Sequence, residues 1–225
     1  MAVATQSEQR PRRRTQEERR AESSHRLLAA AVELMAEKGF ERTTAMEIGE
    51  RAGYSRSMVR ARYGSKEALL ESLVREEFEP LMTAPEVEGQ TGIERALAML
   101  EHPGVSAERE PAMLRAFFML VFEAPGPVNH LAPWLAEFIR SYEAEVAAVL
   151  RRGRKDGSIG PHVDPEVEAR QFIAYGLGIA FRWVLDPTRD FVGEMREWKE
   201  RAEAEWRPRP SPVAPARSAA ARRRP

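Results

Sequence analysis

Thr43-Thr44-Ala45-Met46-Glu47-Ile48-Gly49-Glu50-Arg51-Ala52-Gly53-Tyr54-Ser55-Arg56-Ser57-Met58-Val59-Arg60-Ala61-Arg62-Tyr63-Gly64-Ser65-Lys66 is the stretch that decides the fold. It reads as two short helices joined by a tight turn. Thr44, with Glu47 three residues on, forms a capping box that opens the first helix. Ile48 and Ala52 lie four apart and share a face. Gly53 supplies the left-handed residue that stops the helix. Ser55 is placed to cap the second helix, in which Val59 and Tyr63 turn inward. Gly64 ends that helix, and Ser65 is placed to cap the next. This is the pattern of a helix-turn-helix, whose second helix enters the DNA major groove. The outward residues Arg56, Ser57, Arg60 and Arg62 suit that role, because arginine reaches guanine O6 and N7 with two hydrogen bonds. The same local geometry also occurs in ordinary helical hairpins with a solvated, arginine-rich face.

Upstream, Thr15 and Glu18 form a second capping box, and the helix they open runs to Gly39 with Leu27, Leu28, Ala31, Leu34 and Met35 as its apolar stripe. Phe40 then closes a three-helix unit. Downstream, a helix over about 66–82 carries Leu70, Leu73, Val74, Phe78 and Leu81 on one face. Residues 83–90 form an acidic loop. Ile93, Ala96, Leu97 and Leu100 mark a short helix that Pro103-Gly104 is expected to stop. Residues 107–123 are apolar nearly all round, which predicts a central, buried helix. Pro125-Gly126-Pro127 breaks it. A long amphipathic helix follows over about 131–154. Asp164-Pro165 reads as the cap and first residue of another, which runs through Leu185. The last helix places Phe191, Met195, Trp198, Ala202 and Trp206 on one side.

Beyond these patterns, Leu27 to Phe40, Thr43-Thr44, Ile48, Arg51-Ala52-Gly53, Ser55 and Ser65-Lys66-Glu67-Ala68-Leu69 resemble the DNA-binding domain of the tetracycline-repressor (TetR) family. The resemblance covers about residues 15–70. The chain departs from the family pattern at Arg60, Arg62, Gly64 and Tyr54. A weaker resemblance, around Asp156-Gly157-Ser158-Ile159 and Trp183 to Pro187, extends to the C-terminal domain of such regulators. It implies an all-α protein: a basic arm over 1–14, a helix-turn-helix domain over 15–64, a ligand-binding and dimerisation domain over 65–206, and an Arg/Pro/Ala tail over 207–225. The partners implied are a double-stranded DNA operator, an apolar small-molecule effector, and a second copy of the chain held through the last two long helices. The DNA-facing set is Thr43, Thr44, Ser55, Arg56, Ser57, Arg60, Arg62, Tyr63 and Lys66. Arg60 is the expected base reader, and Thr44 and Lys66 the expected phosphate contacts at helix N-termini.

The aromatic residues Phe117, Phe118, Phe122, Trp134, Phe138, Tyr142, Phe172 and Tyr175 either line a ligand cavity between helices or are simply core. An exposed stripe of Phe191, Met195 and Trp198 is expected to form the dimer contact, as such patches do.

Composition fits this reading. Net charge is zero, yet residues 1–66 carry +5, residues 67–206 carry −11 and residues 207–225 carry +6. A basic head on an acidic body is the footprint of a protein that meets phosphate with one end. The chain has no cysteine, which excludes disulfides, thiolate metal sites and cysteine nucleophiles. It has no apolar run of spanning length and no secretory leader, so a soluble cytoplasmic protein is expected. The four histidines are scattered, and neither a phosphate loop nor a nucleophile elbow is present, so no enzyme, cofactor or metal is expected. The alternative function is a DNA-binding regulator without a small ligand, controlled by a protein partner or by its own concentration.

Overall fold

The computed structural model describes residues 15–126 and 128–209. Residues 1–14 and 210–225, read above as a basic arm and most of a tail, lie outside them, as does Pro127. All regular structure in the described residues is helical.

Helix α1 (Gln16–Lys38) opens on the capping box read from sequence. Thr15 Oγ1 accepts from the Glu18 amide, and Glu18 returns the bond to the Thr15 amide. It stops at Gly39, whose φ of 82° lies where only glycine sits without strain. Helices α2 (Ala45–Arg51) and α3 (Met58–Tyr63) follow at the helix-turn-helix, with Gly53 at φ 77° in the turn. Helix α4 (Lys66–Leu73) continues through a π-helical turn (Val74–Phe78) into α5 (Glu79–Met82), so the expected helix over 66–82 forms with one widened turn. Ser65 caps it through its hydroxyl, 3.0 Å from the Ala68 amide.

Helix α6 (Gly92–Arg109) does not stop at Pro103-Gly104; it passes through both. A proline inside a helix costs about 3 kcal/mol. Here Pro103 and Gly104 are buried, and α6 is held between α8 and α10. Tertiary burial outweighs the local penalty. The real break comes at Glu110, which precedes Pro111 and takes an extended φ of −139° because a following proline disfavours helix. Helix α7 (Pro111–Glu123) is central, with Leu114, Ala116, Phe117, Phe118 and Leu120 buried. Helices α8 (Ala132–Asp156), α9 (Pro165–Leu185) and α10 (Phe191–Trp206) complete the domain. Asp164 caps α9 by accepting from the amides of Glu166 and Val167. The loop after Met82 is tied down by Arg95, which donates to the carbonyls of Ala84 and Pro85 and pairs with Glu145 at 3.2 Å.

The α6–α8 contact depends on glycine. The N-terminus of α6 donates to the end of α8 and the turn after it, Gly92 N–H to Asp156 Oδ2 at 2.7 Å and Ile93 N–H to Ser158 Oγ at 3.1 Å. A Cβ on Gly92 would lie 2.1 Å from the backbone nitrogen of Gly153. Backbone cannot step aside as a side chain can, so Gly92→Ala is expected to cost about 1–3 kcal/mol. Thermal denaturation should show a melting point lower by roughly 2–10 °C.

The stripe Phe191, Met195, Trp198 is not an exposed face. Phe191 and Met195 are buried, as are Ala202 and Trp206, and Trp198 is half-buried against Phe172 and Tyr175. The stripe packs against α6, α7 and α9 of its own subunit. An amphipathic pattern says that something covers it; here that is the same chain. The exposed apolar face belongs to α9, where Val167, Phe181 and Leu185 reach solvent on one side with Ala174 and Gly178 between them.

Candidate DNA-binding surface and ligand cavity

The helix-turn-helix is built on local signals. Thr44 Oγ1 accepts from the Glu47 amide at 3.2 Å, and the Glu47 carboxylate accepts from both the amide and the hydroxyl of Thr44. Lys38 adds a bond at 2.6 Å, and Lys38 and Thr44 together hold the Glu47 carboxyl down to about 2. Ile48 and Val59 fill the angle between the two helices. Ser55 does not cap α3. The N-cap position falls to Ser57, which makes no capping bond, and the hydroxyls of Ser55 and Ser57 pair with each other at 3.2 Å. Ser55, Arg56 and Ser57 therefore belong to the turn before α3.

The candidate DNA residues fall into two groups. Arg60 is exposed on α3 and has no hydrogen-bonding or ionic partner among the described residues. Arg56 is also exposed and leans on Glu50 at 2.6 Å, a weak surface pair that nucleic acid can displace. The other group is engaged by the fold. Arg62 turns back to α1, where it donates to Ser24 Oγ and the Arg20 carbonyl, so it staples α3 to α1. Thr43 is fully buried with its hydroxyl on the Gly39 carbonyl at 2.8 Å, which removes its side chain from any phosphate contact. Tyr63 is half-buried against the core. Lys66 donates to the Phe40 carbonyl at 3.1 Å, with its ammonium over the Phe40 ring.

In the larger domain, α6 to α10 and Met82 of α5 line an apolar cavity of about 60 Å³. Of the eight aromatic candidates, Phe117, Phe118, Phe138, Tyr142 and Phe172 line it. The other three do not. Phe122 is an outer layer between Phe118 and Phe181, and Trp134 stacks on the far side of Phe138. Tyr175 lies on the outer surface, bonded to Arg201 at 2.6 Å. The aliphatic and thioether lining, such as Leu135, Ile139, Ile173 and Met195, carries no sequence mark that separates it from core.

Two charged residues of α7 join the domains, and sequence reasoning missed both. Arg115 donates to the Ala36 carbonyl on α1 at 2.9 Å and to the Trp183 carbonyl at the end of α9 at 3.3 Å. Glu123 accepts from the amides of Phe40 and Glu41, at 2.9 and 3.4 Å, in the link between α1 and α2. A Cβ on Gly39 would lie 1.9 Å from the Glu123 carboxylate, so this glycine permits the approach as well as the turn. Phe117, Phe118 and Val121 of the same helix face the cavity. One rigid element thus touches both the cavity and the base of the helix-turn-helix. The only hints in the sequence were a lone acid and a lone arginine in an apolar helix.

A helix-turn-helix that presents the exposed Arg56 and Arg60, on a helical domain with an apolar cavity, is the architecture of a DNA-binding transcriptional regulator. Residues 27–73 match the family of bacterial regulatory proteins, tetR family. The DNA-binding region is therefore that of the tetR family. Solved structures share the whole fold. SmeT, the repressor of the Stenotrophomonas maltophilia multidrug efflux pump SmeDEF, is 21% identical at a TM-score of 0.65, over 86% of this chain and 98% of that one. SmeT in complex with triclosan is 22% identical at a TM-score of 0.68, over 85% and 97%. TylP, a TetR regulator from Streptomyces fradiae, is 19% identical at a TM-score of 0.62, over 84% and 88%. Identities this low establish the fold alone. No curated protein matches the chain.

Proposed function

We propose that the chain is a dimeric, ligand-responsive repressor that acts in the cytoplasm, binds a two-fold symmetric operator and releases it when an apolar small molecule occupies the interior cavity. The observation that carries this reading is the double engagement of α7, with cavity-lining rings on one side and Arg115 and Glu123 on the DNA-binding domain on the other. SmeT, which is named a repressor and is solved with triclosan, supports it by analogy of fold. The exposed apolar face of α9 supports the dimer, since such a patch on a soluble subunit marks an interface. This moves the expected contact within the last two helices, from the α10 stripe to Val167, Phe181 and Leu185.

Selection of bound sequences from random DNA tests the reading first, with a palindromic site as the expected result. Apolar compounds are then screened for release of that site. If no compound weakens operator binding or raises the melting temperature, control by a protein partner becomes the better reading.

The α7 connection makes its own prediction. In Glu123→Ala the Phe40 and Glu41 amides lose a charged acceptor, at a cost of about 1.5–3 kcal/mol in stability. A releasing compound should still bind, but its effect on operator affinity should shrink roughly 2- to 30-fold, the range of 0.5–2 kcal/mol for residues that carry coupling. Fluorescence anisotropy with and without compound measures this. An unchanged ratio means that the coupling runs elsewhere.

A further inference from the structure

The cavity wall is hydrocarbon, thioether and aromatic ring, and no charged side chain reaches it. Among the described lining residues, Tyr142 carries the only side-chain oxygen. Its hydroxyl is buried and has no hydrogen-bond partner among the described residues. Leaving such a group unpaired costs about 1–3 kcal/mol, so a folded protein that keeps one needs a reason. The ring cannot swing away to find a partner. Phe138 stacks on it at 6.2 Å and 7°, and Phe172 meets it edge-on at 6.1 Å. Burial, with the Glu145 charge nearby, raises its pKa above the usual tyrosine value, so the hydroxyl keeps its proton and remains a donor.

We infer that the ligand of this cavity is a small, uncharged aromatic molecule with one oxygen acceptor, which takes the hydrogen bond of the Tyr142 hydroxyl. This rests on the ligand-responsive reading above and narrows it. Charge is excluded because an ion entering the cavity would lose its hydration and meet no counter-charge in the wall. Arg95 and Glu145, the charged groups that act on the Tyr142 hydroxyl, are paired with each other at 3.2 Å and are not among the lining residues. Aromatic character follows from the rings of Phe117, Phe138, Tyr142, Phe172 and Trp198, which form one chain of contacts centred 5.1–6.2 Å apart. A ring inserted among them gains the edge and offset contacts that aromatic groups prefer. Small size follows from the volume. At about 60 Å³ the space is smaller than the roughly 150 Å³ of an engineered cavity that holds benzene. A single ring enters if Met82 and Met195 change rotamer, as methionine readily does. A polycyclic ligand would force the helices apart.

Three near-isosteric probes test the inference on the full chain: 4-methylacetophenone, p-cymene and 4-methylbenzoate. They share one apolar body and present a neutral acceptor, no polar atom and a charge, respectively. Binding is read from tryptophan fluorescence, since Trp198 is in the wall, and from the melting temperature. Tyr142→Phe keeps the ring and removes the hydroxyl. The ketone should bind the variant roughly tenfold more weakly than the wild type, the loss of one hydrogen bond. p-Cymene should bind the variant as well as the wild type or better, and the benzoate should bind neither. The variant should melt no lower than the wild type, because it loses an unpaired hydroxyl. Ketone binding that ignores the substitution overturns the inference and leaves the ligand-binding reading standing, as does benzoate binding as tight as ketone binding. That second comparison needs no variant. If none of the probes binds the wild type, both fall.

Discussion

Gly178→Arg combined with Leu185→Arg should give a folded monomer whose operator affinity is lower by about 10²–10⁴, the advantage of joining two binding units. Both residues lie on the exposed face of α9. Leu185 is 69% exposed, and a Cβ on Gly178 meets nothing within 4 Å. An arginine at 178 therefore clashes with nothing in its own subunit, and it removes a helical glycine that costs about 1 kcal/mol. A stable dimer covers on the order of 800 Å² per subunit, and two charges in the middle of such a patch lose their hydration without partners. Sedimentation and circular dichroism should report half the mass with full helicity. A variant that stays dimeric at micromolar concentration places the interface elsewhere. Trp198→Asp is not an equivalent test, because Trp198 lines the cavity and contacts Phe172. That substitution would damage the subunit itself.

Arg60→Ala should lower the ratio of specific to nonspecific DNA affinity by about 5- to 150-fold, the 1–3 kcal/mol of a lost bidentate base contact. Arg60 is exposed on α3, and its side chain has no partner among the described residues to give up. Lys66 behaves differently. Its ammonium holds the Phe40 carbonyl with one of its three donors, and the other two are left for a phosphate. Lys66→Ala should weaken operator and scrambled DNA alike and lower the salt dependence by about one unit of slope. Thr44→Ala should also cost about 1 kcal/mol of stability, because its hydroxyl closes the capping box of α2. Titrations on both DNAs across a salt series separate these roles. If Arg60→Ala weakens both DNAs equally, Arg60 is a backbone contact, and base reading passes to Arg56 or Ser57.

What was legible in the sequence was local. The Thr15–Glu18 and Thr44–Glu47 boxes, the glycines at 39 and 53 and the Asp164-Pro165 start each act within one turn of backbone, and each forms as read. The all-helical class followed from them. Misreadings came where distant packing overrules a local rule. Pro103 stays helical because α8 and α10 hold α6 on both sides. The Phe191–Met195–Trp198 stripe was real, but its partner is a neighbouring helix rather than a second subunit. Arg62 carries the same charge as Arg60; only the position of Ser24, far away in sequence, makes it a staple. The aromatic candidates divided for the same reason. Phe117 and Phe122 are both apolar residues of α7, and their directions decide which one faces the cavity.

The π-helical turn at Val74–Phe78 sets a constraint on how this chain can change in length. A residue added to or removed from a helix rotates everything beyond it by about 100° and shifts it about 1.5 Å along the axis. The widened turn absorbs one residue between the part of the rod that serves the DNA-binding core, through Leu69, Leu70 and Leu73, and the part that serves the larger domain, through Phe78 against Phe117 and through Met82 in the cavity wall. The two ends are in phase only with that residue present. Phe78 meets Phe117 edge-on at 5.5 Å because of this phase. Single insertions and deletions between Lys66 and Phe78 would carry Phe78 away from Phe117, so this segment should drift in composition far more readily than in length.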